Sequence, residues 1–198
     1  MATKTTINFD DEMEAALDEL AAIDGTKRLA IKRSLLAEVK RRRRSQAILD
    51  LIASWEAEDG PIDAEHLAWA DAVLDRQGVG SVIVDAGPFI VDGEQVNSRL
   101  WALIKRATER GDDLHTTHPV LAQVWRDPTR QANLARALRS FDIHPLDESR
   151  SVGRRLAATG TSDVVDAHLA VVAQSLGTFI LTGDPDDMAL LDARFEVY

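Results

Sequence analysis

From residue 81 onward, short β-branched or apolar runs alternate with helical stretches, and nothing else in the chain constrains the fold as much. SVIVDA, at 81–86, is a near-continuous apolar run of the kind found in a strand covered on both faces. Further candidate strands fall at Leu114–Thr117, Phe141–His144, Thr178–Thr182 and Phe195–Tyr198. Between them, helical spacing covers Ser98–Arg110, Val120–Trp125 with a second stretch over Gln131–Arg139, Glu148–Ala158, Asp163–Leu176 and Asp186–Leu191. Such alternation predicts an open α/β fold with a parallel sheet, right-handed crossovers and helices on both faces. Leu100, Trp101 and Ile104, like Leu134 and Leu138, recur at core spacing.

The 198 residues, 45% of them apolar, suffice for one such domain joined to a smaller one. With no cysteine, disulfides, thiolate zinc sites, iron–sulfur clusters and thiol nucleophiles are excluded together. His66, His115, His118, His144 and His168 show no metal-ligand spacing, and there is no Gly-rich phosphate loop, nucleophile elbow or HExxH. MATKTTINFDDEM carries no apolar leader core, and no later run approaches the ~20 apolar residues of a membrane span. A soluble, cytoplasmic protein with no membrane partner is expected.

Charge is unevenly spread. The net charge is −10, yet residues 26–44 carry nine Lys/Arg against Glu38 alone, between an acidic start and the acidic stretch 45–78. That block either meets an anionic partner or is a solvated helix end suited to the C-terminal dipole. KTTINF, at 4–9, alternates like a strand, Asp10 or Asp11 can cap a helix bearing Met13, Leu17 and Leu20, and Gly25–Thr26 separates it from a second stripe of Ile31, Leu35 and Val39. A lone strand with two helices buries too little to stand by itself, and pairing the strands of two copies is the simplest remedy. This stretch resembles the ribbon-helix-helix DNA-binding family over residues 3 to about 44. The resemblance implies a DNA-binding unit over 1–44, with Lys4, Thr6 and Asn8 on operator bases and Thr26 and Lys27 at a helix N-terminus facing phosphate. It also implies a homodimer or a higher even oligomer.

Residues 45–78 read as a helical tail. Leu49, Ile52 and Trp55 mark one short amphipathic helix, Gly60–Pro61 interrupts, and Asp63 can cap a second helix with Leu67, Ala70 and Val73–Leu74. Trp55 and Trp69 are either anchors of a segment laid into a groove or packing residues of a helical linker. Gly78–Val79–Gly80 marks the boundary to a domain over 79–198.

In open α/β sheets a site forms beyond the carboxyl ends of the strands. Asp85 closes the first strand, Asp184 follows the fourth, and Asp163 and Asp166 share one helix face through their i, i+3 spacing. Carboxylates gathered there repel one another and need a counter-ion, and all-oxygen ligands select Mg²⁺ or Mn²⁺, a setting for phosphodiester chemistry. Each Asp taken singly serves equally as a turn or helix cap.

IVDAGPFI, HPVLAQVWR, DVVDAHLAVVA and FILTGDPDDM together resemble the PIN-domain ribonucleases, specifically the VapC toxins of bacterial toxin–antitoxin pairs. The resemblance runs over residues 81–198 and implies a parallel sheet of strand order 3-2-1-4-5 with an acidic Mg²⁺ site. It puts Asp85, Asp166 and Asp184 at the family's catalytic and metal-binding aspartates, with Asp163 as a supporting acid and Asp187 as a weaker outer one. Where the family has a glutamate, this chain has Gln123, which can hydrogen-bond or coordinate through its oxygen but carries no charge and cannot act as a base. Arg126 and Arg130 either line an RNA path beside Gln123 or form surface ion pairs.

VapB-type antitoxins are ribbon-helix-helix proteins with a tail that wraps VapC, so the chain reads as antitoxin head, tail and PIN-like ribonuclease in one polypeptide. The RNA is then the substrate, operator DNA a partner, and the tail meets the PIN-like domain in cis or in trans. An acidic tail fits only if it meets a basic surface or inserts a base, such as Arg76, among the acids. The competing reading is a DNA-binding transcriptional regulator whose PIN-like half is catalytically weakened or inactive; an artificial join of two adjacent genes is a third.

Overall fold

The computed structural model describes residues 6–76, 80–127 and 129–198. The chain divides into two compact units, one ending at Arg44 and the other spanning Ser45–Tyr198. In the first, residues 6–10 join no strand, since a strand without a partner has no ladder to enter; Lys4 lies outside the described residues. Thr6 and Asn8 are exposed. Helix α1 (Asp11–Asp24) is capped by the Asp10 side chain, which accepts from the Met13 N–H at 2.8 Å. It ends at Gly25, whose φ of 90° suits a residue without a Cβ. Thr26 then accepts from the Leu29 N–H at 3.2 Å and opens α2 (Lys27–Asp59). The Lys27 ammonium is held by Asp18 at 2.5 Å.

Helix α2 is continuous over 33 residues, where the sequence suggested a break after Arg44. No Gly or Pro falls between 27 and 59, so nothing stops the helix before Gly60–Pro61. Helix α3 (Ala64–Asp75) follows. Then come β1 (Ser81–Val84), α4 (Ala86–Asp92), α5 (Arg99–Arg110), β2 (Asp113–Thr117), α6 (His118–Val124) and α7 (Ala132–Ala137) with a 3-10 turn over Leu138–Ser140. The chain closes with β3 (Phe141–His144), α8 (Ser149–Thr159), α9 (Val164–Leu176), β4 (Ile180–Thr182), α10 (Pro185–Leu190) and β5 (Phe195–Val197).

All five strands are parallel and their order is β3-β2-β1-β4-β5. By the right-handed crossover rule, the connections from β1 to β2 to β3 place α5 and α7 on one face, and the return to β4 places α8 and α9 on the other. Central strand β1 is therefore shielded on both sides, with Val82, Ile83 and Val84 at most 1% exposed. Helix α5 presents Leu100, Trp101, Leu103 and Ile104 to the core, each fully buried. Helix α4 lies outside the expected helical stretches; its Pro88 falls in the first turn, where proline forfeits only an N–H that has no partner anyway.

The tail packs as part of the α/β unit, with α3 lying along α5. Ile52, Ala70, Val73 and Leu74 are buried in the shared core. Trp55 meets the fully buried Trp101 edge-on at 4.8 Å between ring centroids, and Trp69 meets Tyr198 at 5.3 Å with the Arg99 guanidinium 5.5 Å above it. The acidic tail meets a basic helix: Glu56 holds Lys105 at 2.6 Å, Asp71 holds Arg106 and Arg110 at 3.2 and 2.7 Å, and Asp75 holds Arg110 at 2.6 Å. Arg76, the tail's own cation, pairs with Glu196 on β5. No helix among the described residues is long and apolar enough to cross a membrane.

Candidate active site

The carboxyl edge of the sheet is where this architecture concentrates helix N-termini. Helices α4, α6 and α10 start directly after β1, β2 and β4, and α9, which precedes β4, also begins there. Their unpaired N–H groups and aligned dipoles favour negative charge at that edge.

Asp85 leaves β1 and caps α4: its Oδ1 accepts from the Ala86 N–H at 2.5 Å, and its Oδ2 from the Thr182 hydroxyl at 2.8 Å. The cap reading of this residue is thus realised, and its second oxygen faces the end of β4. Only 8% exposed, Asp85 has its pKa raised by burial, with the charges of Asp184 and Asp163 adding and the two hydrogen bonds opposing. Thr182 is fully buried at the end of β4, and its oxygen also accepts from the Asp184 N–H at 3.0 Å. One hydroxyl therefore ties the β1 carboxylate to the turn that carries Asp184. The two turns run close, and a Cβ on Gly87 would stand 3.4 Å from the Gly183 nitrogen.

Asp163 caps α9, accepting from the Val165 and Asp166 N–H groups at 2.8 and 3.2 Å. Asp166 sits one turn into α9, half-buried. Burial, then the charges of Asp163, Asp85, Asp187 and Asp184, push it up to about 7. Separate segments after β1, at the start of α9 and after β4 thus bring acids within each other's field. Asp184 and Asp187 themselves are exposed.

Gln123 lies half-buried on α6, which packs against α4 and α9. Thr182 was not among the residues the sequence singled out; the signal was FILTGD, where a hydroxyl two residues before an aspartate at a strand end can cap the turn. The histidines, scattered in sequence, are partly gathered in space: His115 on β2 and His144 on β3 share a hydrogen bond at 3.2 Å between ring nitrogens, and burial lowers the pKa of His115.

Among the described residues, no group of three His, Asp or Glu side chains stands close enough to hold an ion as it is. The donor set nevertheless fits a hard divalent cation. It offers carboxylate oxygens raised in Asp85 and Asp166 by burial first and by the neighbouring acids second, and Mg²⁺ keeps several waters and asks for only one or two carboxylates. The tail's ion pairs run to α5 and β5, not to these acids. No protein-family model and no curated protein matches the chain.

Proposed function

We propose that the chain is a metal-dependent endoribonuclease of PIN-like fold, of the VapC kind, carried in one polypeptide with an antitoxin-like, ribbon-helix-helix operator-binding head and tail. The observation that carries this reading is Asp166, pushed up to about 7 by burial and by four other acids at the carboxyl edge of a 3-2-1-4-5 parallel sheet. Carboxylates that resist ionising together are poised to receive a cation, and Asp85, Asp166 and Asp184, with Asp163 in support, are the residues that would hold Mg²⁺ or Mn²⁺. Such an ion supplies Lewis acidity toward a phosphate oxygen. Thr182 fixes the Asp85 carboxylate, and Asp163 orders the first turn of α9, which carries Asp166. Gln123 orients by hydrogen bonding without taking a proton.

The neutral Gln123 favours a second reading, a DNA-binding regulator with a weakened PIN-like half. One experiment separates the two. The full chain, its Gln123→Glu variant and its Asp85→Asn variant are incubated with structured RNA in Mn²⁺ or Mg²⁺. The ribonuclease reading expects metal-dependent cleavage that rises in Gln123→Glu and vanishes in Asp85→Asn. No cleavage by the wild-type chain or Gln123→Glu, both folded, leaves the regulator.

A further inference from the structure

An open groove of about 610 Å³ lies between α6, α7 and β3, lined by His118, Leu121, Trp125, Leu138, Arg139 and Ile143. Its lining is mostly apolar, with His118 and Arg139 the polar side chains in it. Trp125, which ends α6, is 39% exposed and leaves a large aromatic face to water. By contrast, Trp101 is fully buried and Trp55 and Trp69 are packed within the tail contact.

The surrounding charge is the reverse of the protein's average. Residues 118–144, which supply the lining, carry Arg126, Arg130, Arg136 and Arg139 against Asp127 and Asp142, in a chain whose net charge is −10. Arg126, Arg130 and Arg139 are exposed, and among the described residues none of the three enters an ion pair. Arg126 donates to the Ala122 carbonyl near the end of α6 at 2.9 Å, whereas Arg106 and Arg110 on α5 are held in ion pairs. Helix α6 carries both this groove and Gln123, and it packs on α4 and α9, the helices that start at Asp85 and Asp163.

We infer that the groove is a base-binding subsite for single-stranded RNA, in which one unpaired nucleobase stacks on the Trp125 indole while Arg139, Arg126 and Arg130 take the flanking phosphates. An apolar floor with an exposed aromatic accepts the π-face of any base, and Arg139 in the lining, with Arg126 and Arg130 on the same basic stretch, supplies the phosphate contacts. The apolar floor alone would suit a second copy of the chain equally; Arg139 in the lining, on a basic stretch of an acidic protein, is what selects a polyanion. The inference rests on the ribonuclease reading for its choice of RNA, but it assigns a specific contact away from the acids.

The test uses the full-length chain in EDTA, so that no cleavage is needed, with a fluorescein-labelled mixed-sequence RNA 12-mer and an abasic ribose-phosphate 12-mer. RNA is expected to quench a component of indole fluorescence that is missing in Trp125→Phe, and the abasic strand is expected not to quench it. By anisotropy, Trp125→Ala should bind the 12-mer about tenfold more weakly and Trp125→Phe close to wild type, while all three bind the abasic strand alike. Quenching that persists unchanged in Trp125→Phe, or no difference between Trp125→Ala and wild type on RNA, overturns the inference. So does a change of oligomeric state in Trp125→Ala without a change in RNA affinity, which would make the groove an interface between copies. The two proposals fail separately. Base-dependent binding without metal-dependent cleavage removes the nuclease and keeps the subsite, whereas cleavage unaffected by Trp125→Ala at limiting RNA removes the subsite and keeps the nuclease.

Discussion

Asp166→Asn is expected to stabilise the metal-free protein at pH 8 and to change it by only about a few tenths of a kcal/mol at pH 4. In the folded state this carboxyl ionises only near pH 7, against an ordinary 3.8, because burial and its acidic neighbours disfavour the charge. Below 3.8 the group is protonated in folded and unfolded chains alike and costs nothing. As pH rises from there the folded state holds its proton more tightly, so stability falls until about pH 7 and is then constant. At ~1.4 kcal/mol per pH unit the full difference is roughly 4 kcal/mol, and because Asp166 is half open to solvent about half of that, ~2 kcal/mol, is the working figure. For a chain of this size that is a rise in Tm of about 4–8 °C on substitution. The assay is thermal unfolding in EDTA from pH 4 to 8, repeated at pH 8 with saturating Mg²⁺ or Mn²⁺. There the wild type should gain ~2.7 kcal/mol at a cation concentration of about 100 times Kd, and the variant much less. A variant less stable than wild type at pH 8, or a difference that does not change with pH, would refute the electrostatic account of this site.

Three further outcomes follow from the same contacts. Thr182→Val removes the hydroxyl between Asp85 and the Asp184 N–H and should cost about 1–3 kcal/mol in chemical denaturation, more at pH 8 than at pH 4, because the ionised Asp85 loses a donor. Arg110→Glu breaks the pairs with Asp71 and Asp75 and should lower stability by ~1–2 kcal/mol at low salt, with the deficit shrinking in 1 M NaCl. Trp101→Ala empties a fully buried site under Trp55 and should cost about 3–5 kcal/mol, read as a shifted denaturation midpoint together with a red-shifted Trp55 emission.

What the sequence disclosed and what it withheld divide along a physical line. Apolar runs bounded by turn residues located β1 and its parallel partners, since burial on both faces leaves a compositional mark. The acids were legible because a strand ending in Asp85 and a helix opening with Asp163 and Asp166 put charge where open sheets form clefts. Helix α4 was not legible, because Gly87–Pro88 breaks a helix in its middle but not in its first turn. Neither was the unbroken α2, whose polar middle carries no periodic apolar stripe and persists for want of a breaker. The role of Thr182 depends on β4 lying beside β1, a pairing that no local pattern encodes. The Trp125 groove likewise needs α6, α7 and β3 brought together.

The acidic tail finds its counter-charge on α5, and that location bears on how it can act. Glu56, Asp71 and Asp75 match Lys105, Arg106 and Arg110, so the charge of the tail is satisfied on α5 and in none of these pairs by a candidate catalytic acid. Its apolar residues are tied down just as firmly, for Ile52, Val73 and Leu74 belong to the same buried cluster as Trp101 and Leu103. A segment that completes a core is not released by losing a few surface contacts, since each large buried side chain is worth about 1.5–3 kcal/mol. Restraint of the site by this tail would then act through packing, not by plugging the pocket. One contiguous route exists: Trp69 meets Tyr198 edge-on, the Tyr198 hydroxyl donates to Asp92 at the end of α4, and Asp85 stands at the start of that same short helix. Asp92 and Asp85 thus stand at opposite ends of one seven-residue helix, so a displacement of α4 imposed by the tail is the packing route by which the Asp85 carboxylate would be reached.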